Sequence, residues 1–147
     1  MATKHTAQIN VQRFSLISSR SFDGVLKALE AGMGHPDMAA FRSAMIKAKT
    51  YSEVEEIVSA ATGASGFMEF TRFDLGVVLR KRLGPKAPRN VRFVVGNPVI
   101  MNQMLEHVPD TGSYAPVNIL LDERPDGVHL SYDTVASFLA SYGNPRP

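Results

Sequence analysis

The residue types best suited to chemistry fall in a segment near the C-terminal end that reads as a hairpin. Val117, Ile119 and Leu121 share one parity, as do Val128, Leu130 and Tyr132. If Arg124 to Gly127 forms a four-residue turn, Glu123 falls opposite Val128, Leu121 opposite Leu130 and Ile119 opposite Tyr132. All the apolar residues then share one face. A three-residue turn would set Leu121 against Ser131 and split the faces. The favoured register places Asp122 opposite His129 on the other face, with Ser131 two residues further along the strand. A carboxylate beside an imidazole can orient it as a general base or a metal ligand, and a serine nearby is a candidate nucleophile. The same pair is also an ordinary cross-strand contact that contributes little, and no nucleophile elbow surrounds Ser131. Asp122, His129 and Ser131 are therefore the catalytic candidates, and the expectation is that the Asp122–His129 pair is structural.

A second set of residues suits ligand binding. Phe70, Arg72, Asp74, Asn97 and Tyr114 come from strand ends and helix starts where a sheet meets its helices. Asp74 is also suited to cap a helix, which would stabilise it by roughly 0.5–2 kcal/mol. Gly96-Asn97-Pro98 joins a strand to a helix, a place where phosphates bind. Pro98 removes one donor there, however, and no glycine-rich loop or following lysine of the phosphate-binding kind is present.

A third set is electrostatic. Arg80, Lys81, Arg82, Lys86, Arg89 and Arg92 run without an acidic interruption. Such a cluster can meet an anion, and it is equally a solvated helix face and loop. No aromatic residue interleaves it before Phe93, so it does not read as a base-stacking surface, and nucleic acid is not the expected partner. His5, His35, His107 and His129 are scattered without paired spacing, so neither a metal nor a cofactor is expected. Met38, Met45, Met101 and Met104 fall on apolar helical stripes, for which core filling suffices.

The elements that must position these residues follow from periodicity and punctuation. Ile9 to Ser18 reads as a strand whose alternation slips, which a bulge near Arg13 would reconcile. Ser21 is the N-cap of a helix with Phe22, Val25, Leu26 and Leu29 on one stripe, ended by Gly32 and Gly34. Pro36 suits a first turn before Met38, Phe41 and Met45. Ser52 and Glu55 form a capping-box signature for a third helix, stopped by Gly63. Phe67 to Phe73 is strand-like. Asp74 would cap a short helix carrying Val78 and Leu79 and closed by Gly84. Val91 to Val95 is a strand with Val91, Phe93 and Val95 on one face. Asn97 and Pro98 then start a helix whose stripe is Ile100, Met101, Met104 and Leu105. The hairpin follows, and a short helix from Thr134 to Tyr142 closes the chain. The order β-α-(α-α)-β-α-β-α-β-β-α predicts an α+β two-layer sandwich, with a mostly antiparallel five-stranded sheet and helices packed on it.

Several of these residues recur together elsewhere. Phe73-Asp74, Gly84, Gly96-Asn97-Pro98, Pro116, Glu123, Asp126-Gly127 and Ser131-Tyr132 stand in an order and spacing that resembles the family called domain of unknown function 302. The resemblance covers Gly66 to Gly143, and the upstream unit from Ile9 to Gly34 looks like the family's opening strand and helix. Many relatives place a histidine after the aspartate, where this chain has Leu75. The resemblance implies a compact α+β fold and dimers, and no agreed activity. It also makes the stretch at about 35–65 look like a helical insertion within one domain spanning 1–147.

The composition agrees with a globular domain. The chain is 147 residues long, 44% apolar and 20% charged, with a net charge of +2. A chain of this length buries roughly 68–70% of its unfolded surface, so it can build a core without staples. With no cysteine, disulfide and thiolate chemistry are excluded. No apolar run approaches the length of a membrane span, and the first ten residues lack the core of a secretory leader. The expectation is a cytoplasmic, non-catalytic domain that binds a small molecule or serves an accessory role. The alternatives are an enzyme using Asp122, His129 and Ser131, or an anion-binding interaction protein using the basic cluster from 80 to 92.

Overall fold

The fold is seen in a computed structural model that describes residues 1–143. Its elements are β1 (Arg13–Ser18), α1 (Phe22–Gly32), α2 (Met38–Lys47), α3 (Tyr51–Ala61), β2 (Met68–Asp74) and α4 (Gly76–Leu83). They continue with β3 (Asn90–Gly96), α5 (Pro98–Leu105), a 3-10 turn (Pro109–Ser113), β4 (Val117–Arg124), β5 (Gly127–Asp133) and α6 (Val135–Ala140). The strands form one sheet in the order β1-β5-β4-β3-β2, with every neighbouring pair antiparallel. The α+β class and the element order follow the expectation.

One face of the sheet carries the main core. Val91, Phe93 and Val95 pair across with Leu121, Ile119 and Val117, and Leu121 and Ile119 pair in turn with Leu130 and Tyr132. Strand alternation makes this a single apolar face. Helix α1 lays Phe22, Val25, Leu26 and Leu29 on it, with Met33 beyond the helix end. Phe93 and Leu121 are fully buried, and each such side chain contributes roughly 1.5–3 kcal/mol relative to exposure. A second cluster joins α2 and α3 to the start of β2 through Phe41, Val58 and Met68, with Met38 and Met45 packed against it.

The hairpin adopts the expected register, including Asp122 opposite His129. Its tip is tighter than a four-residue loop, because Arg124 and Gly127 themselves pair and leave Pro125 and Asp126 at the turn.

The helix starts show where local signals suffice. Ser21 Oγ accepts the Gly24 N–H at 3.1 Å, and Asn97 Oδ1 accepts Val99 and Ile100 N–H at 2.9 and 3.3 Å. Both are the predicted caps. Three local expectations are corrected. Pro36 precedes the N-cap Asp37 and does not sit in the first turn. The third helix is capped by Thr50 and Glu53, with Thr50 Oγ1 accepting the Glu53 N–H and Glu53 Oε2 accepting the Lys49 N–H. Leu75 occupies the cap position of α4, and Asp74 reaches past it to the Gly76 N–H at 2.9 Å.

The irregularity expected in β1 lies instead in β2. Strand β1 pairs with β5 in one unbroken register from Arg13 to Ser18, so it holds no bulge. Ile9 and Val11 precede the strand. In β2 the register shifts between Glu69 and Thr71, which inserts Phe70 as the extra residue. At the crossing between the α1 exit and the α3 exit, a Cβ on Gly34 would collide with the Ala61 carbonyl, and one on Gly63 with the Met33 backbone. Only glycine allows that approach.

Candidate functional site

Strand parity separates the candidate residues into two groups. Val95, Val117, Ile119 and Tyr132 share the face that carries α1, whereas Asp122, His129 and Ser131 have the opposite parity. A cavity lies on the first face. It measures about 650 Å³ and opens between the sheet, α5 and the junction of β5 with α6. This is within the size range of small-molecule sites.

Its walls come from four segments. The sheet supplies Val95, Val117, Ile119 and Tyr132; α5 supplies Ile100, Met101 and Met104; the chain before β4 supplies Ala115 and Pro116; and the start of α6 adds Thr134, Val135 and Ala136. Phe67 and the bulged Phe70 close one end. The bulge explains why Phe70 turns toward the same cavity as Val95, since an extra residue re-aims the side chain it inserts. Gly96 keeps this end open, because a Cβ there would stand 3.2 Å from Pro116 and 3.3 Å from the Phe70 ring.

The lining is almost entirely apolar. Asn97 touches it, yet its side chain is engaged: Oδ1 holds the start of α5 and Nδ2 donates to the Gly66 carbonyl at 2.9 Å. The lining side chains with a hydroxyl are Tyr132 and Thr134. The stripe of α5 therefore splits from the core-filling expectation. Met38 and Met45 pack in the second core cluster, but Met101 and Met104 line the cavity.

Three residues expected at a ligand site lie elsewhere. Arg72 is held by Glu69 at 2.6 and 2.7 Å and by Glu30 of α1 at 2.8 Å. It also lies over the Phe93 ring. The hydrogen bonds to Glu69 hold its guanidinium pKa above the ordinary arginine value, with Glu30 adding to the effect. Asp74 is taken by Arg80 at 2.7 Å and by the Gly76 N–H. Arg80 holds its carboxyl below the usual carboxylate range. Tyr114 stacks on Phe138 with ring centres 4.3 Å apart, and its hydroxyl meets that of Tyr142 at 2.7 Å. Of the five ligand-binding candidates, Phe70 and Asn97 line the cavity.

The catalytic candidates are together but do not bond to one another. Asp122, His129 and Ser131 are each 7% exposed. Asp122 faces His129, yet its oxygens take Arg124 Nε at 2.7 Å and Nη2 at 3.3 Å. His129 Nε2 instead meets Asp126 Oδ1 at 2.7 Å, which holds the Asp126 carboxyl below its usual range. No hydrogen bond joins Ser131 to His129 among the described residues. The expected Asp122–His129 contact is thus corrected to two separate contacts, an Asp122–Arg124 ion pair and a His129–Asp126 hydrogen bond, that brace the hairpin.

Half of the basic cluster is neutralised or packed. Arg80 pairs with Asp74, and Arg89 pairs with Asp23 at 2.6 Å while lying over Phe22. Arg92 lies over Phe73. Lys81, Arg82 and Lys86 form no ion pair among the described residues and lie on the outer side of α4 and the loop after it. No helix of the described residues is long and apolar enough to cross a membrane.

Comparison with known proteins agrees with this architecture. The crystal structure of an uncharacterized conserved protein DUF302 from Bacillus stearothermophilus is similar to the chain with a TM-score of 0.58. Identity is 12%, over 90% of this chain and 81% of that one, a likeness of fold. No curated protein matches the chain. The sequence pattern of the domain of unknown function DUF302 matches residues 42–146, a range that takes in most of the stretch expected as an insertion and leaves out β1 and α1. On this match, which spans well over half of its length, the chain belongs to the DUF302 family.

Proposed function

We propose that the domain is a non-catalytic binding module that holds a small, mainly hydrophobic molecule between the sheet and α5. The observation that carries this reading is the open apolar cavity of about 650 Å³. Its walls offer shape and apolar contact, and the Tyr132 and Thr134 hydroxyls can orient one polar group of a ligand. Among the described residues no carboxylate, imidazole or amine lines it, so the Tyr132 phenol is the one lining group of the general acid–base kind. The alternative reading, an enzyme built on Asp122, His129 and Ser131, loses support from the geometry. Those groups have the opposite strand parity, Asp122 is committed to Arg124 and His129 to Asp126, and no hydrogen bond joins Ser131 to His129 among the described residues.

The affinity can be bounded. A ligand of about 20 non-hydrogen atoms at roughly 0.3 kcal/mol each gives about 6 kcal/mol, or a Kd of tens of micromolar. At about 1 mM such a ligand would raise stability by about 2 kcal/mol and Tm by about 5 °C. A thermal-shift screen against neutral hydrophobic compounds, nucleotides, sugar phosphates and divalent metals tests this. The expected result is a shift with the hydrophobic class alone. A shift confined to phosphates or metals would refute the reading.

A further inference from the structure

We propose that α4 and the loop after it form a docking surface for an anionic lipid bilayer, which the domain meets at its surface without crossing. The argument begins with what α4 does not do. Its sequence, GVVLRKRL, is rich in apolar residues, yet none of them belongs to either core cluster. The inner side of the helix is short. Gly76 is buried, and Leu79 and Arg80 are half-buried. Positions three and four apart are neighbours on a helix, so Leu75 stands beside Val78, Val77 beside Lys81, and Val78 beside Arg82. These five residues form one contiguous outer face, and all five are exposed.

That face combines two properties. Its first turn is apolar: Leu75, Val77 and Val78 are 45%, 44% and 73% exposed. Single exposed apolar residues need no explanation, whereas a contiguous group rimmed by charge marks an interaction site. Its second turn and the following loop are cationic, through Lys81, Arg82 and Lys86. These three are exposed and form no ion pair among the described residues. No acidic residue stands between Asp74 and Glu106 in the sequence, and Asp74 is already held by Arg80 at 2.7 Å. Nothing local therefore neutralises the three cations.

Apolarity and charge together select the occupant. Nucleic acid would take the cations but leave the three apolar side chains uncovered, and α4 carries no aromatic residue on which a base stacks. A second copy meeting this face about a two-fold axis would set like charges against one another. An anionic bilayer satisfies both halves. Headgroup phosphates take the ammonium and guanidinium groups, while Leu75, Val77 and Val78 enter the boundary between headgroups and acyl chains. The long stems of Lys81 and Arg82 let their charges reach the phosphates from the same face. A helix of eight residues lies in the plane of that boundary and is far too short to span it. This inference is independent of the proposed ligand cavity.

Co-sedimentation of the full chain with phosphatidylcholine vesicles, with and without about 30% phosphatidylglycerol, tests it. Each cation near an anionic surface strengthens binding about fivefold, so the triple variant Lys81→Gln, Arg82→Gln and Lys86→Gln should bind about a hundredfold more weakly. Val77→Ser combined with Val78→Ser should weaken binding at least fivefold. Circular dichroism and Tm confirm that each variant folds. The wild type should bind the anionic vesicles and not the neutral ones, and raising salt from about 50 to about 300 mM should weaken the binding. A wild type that binds neither vesicle would overturn the proposal. So would vesicle binding that the folded triple-glutamine variant retains, binding that is indifferent to the two valines, or tighter binding to duplex DNA than to anionic vesicles at equal phosphate concentration.

Discussion

Replacing Arg72 with methionine separates a scaffold role from a ligand-binding role. Arg72 joins the β2 edge to α1 through two bonds to Glu69 and one to Glu30. The two arms differ in worth. The side chain of Glu30 is 35% exposed, so that arm contributes about 0.5–1 kcal/mol, as exposed pairs do. The side chain of Glu69 is only 10% exposed. Removing its partner strands a carboxylate, which in a fully buried pair costs about 3–5 kcal/mol. Glu69 is less isolated than that, because His35 Nδ1 lies 3.4 Å from it. Methionine also keeps some of the packing over Phe93. The expected net loss for Arg72→Met is therefore about 2 kcal/mol, with Glu30→Gln losing about 0.5 kcal/mol. Urea unfolding should show a lower midpoint with an unchanged slope, and Tm should fall by about 4–8 °C. Affinity for a cavity ligand should not change. Loss of ligand binding in a variant of unchanged stability would refute this assignment of Arg72.

Three further outcomes follow from the same geometry. Arg80 lowers the pKa of Asp74, His129 that of Asp126 and Arg13 that of Asp133; their contribution is full above the unfolded carboxylate value of about 3.9 and lost as pH falls through the lower folded values, so acid titration of stability should show a decline beginning near pH 4. Thr111 is fully buried and its hydroxyl has no hydrogen-bond partner among the described residues, so Thr111→Val should raise stability by up to about 1 kcal/mol in chemical denaturation, and a clear loss would contradict that reading. A double-mutant cycle of Asp122→Asn and His129→Ala should close within about 0.5 kcal/mol, whereas a larger coupling energy would mean that the two side chains interact after all.

Much of the fold was legible because local and cross-strand constraints agreed. The hairpin register followed from parity plus turn length, and Ser21 and Asn97 announced their helices by type and position. Other features had competing local readings. Thr50-x-x-Glu53 and Ser52-x-x-Glu55 fall in overlapping frames, both compatible with the same apolar stripe, and local pattern does not choose between them. Counting Ile9 and Val11 into the strand demands a bulge in β1, whereas both residues lie before it, along a stretch bonded to α6 and the residue that ends it. The partners of Asp122 and His129 carry a signal in the sequence. Arg124 lies two residues beyond Asp122 on the same strand face, and Asp126 sits in the turn three residues before His129. Such near neighbours compete with the residue directly across the strand. The cavity was least legible, because an apolar stripe facing a cavity has the same period as one facing a core. Ile100, Met101 and Met104 acquire that meaning only when Phe70, Pro116 and Tyr132 arrive from distant parts of the chain.

The cavity reading is tested most directly by fluorescence titration with the neutral apolar dye N-phenyl-1-naphthylamine. The wild type should bind about one dye per chain, saturably, in the micromolar range expected for a ligand of this size. Met101→Trp combined with Met104→Trp puts bulk into the cavity and should weaken binding at least tenfold with the fold intact by circular dichroism. His129→Ala, on the opposite face, should leave binding unchanged. Absence of saturable binding to the wild type, or full binding retained by the folded double-tryptophan variant, would contradict the account.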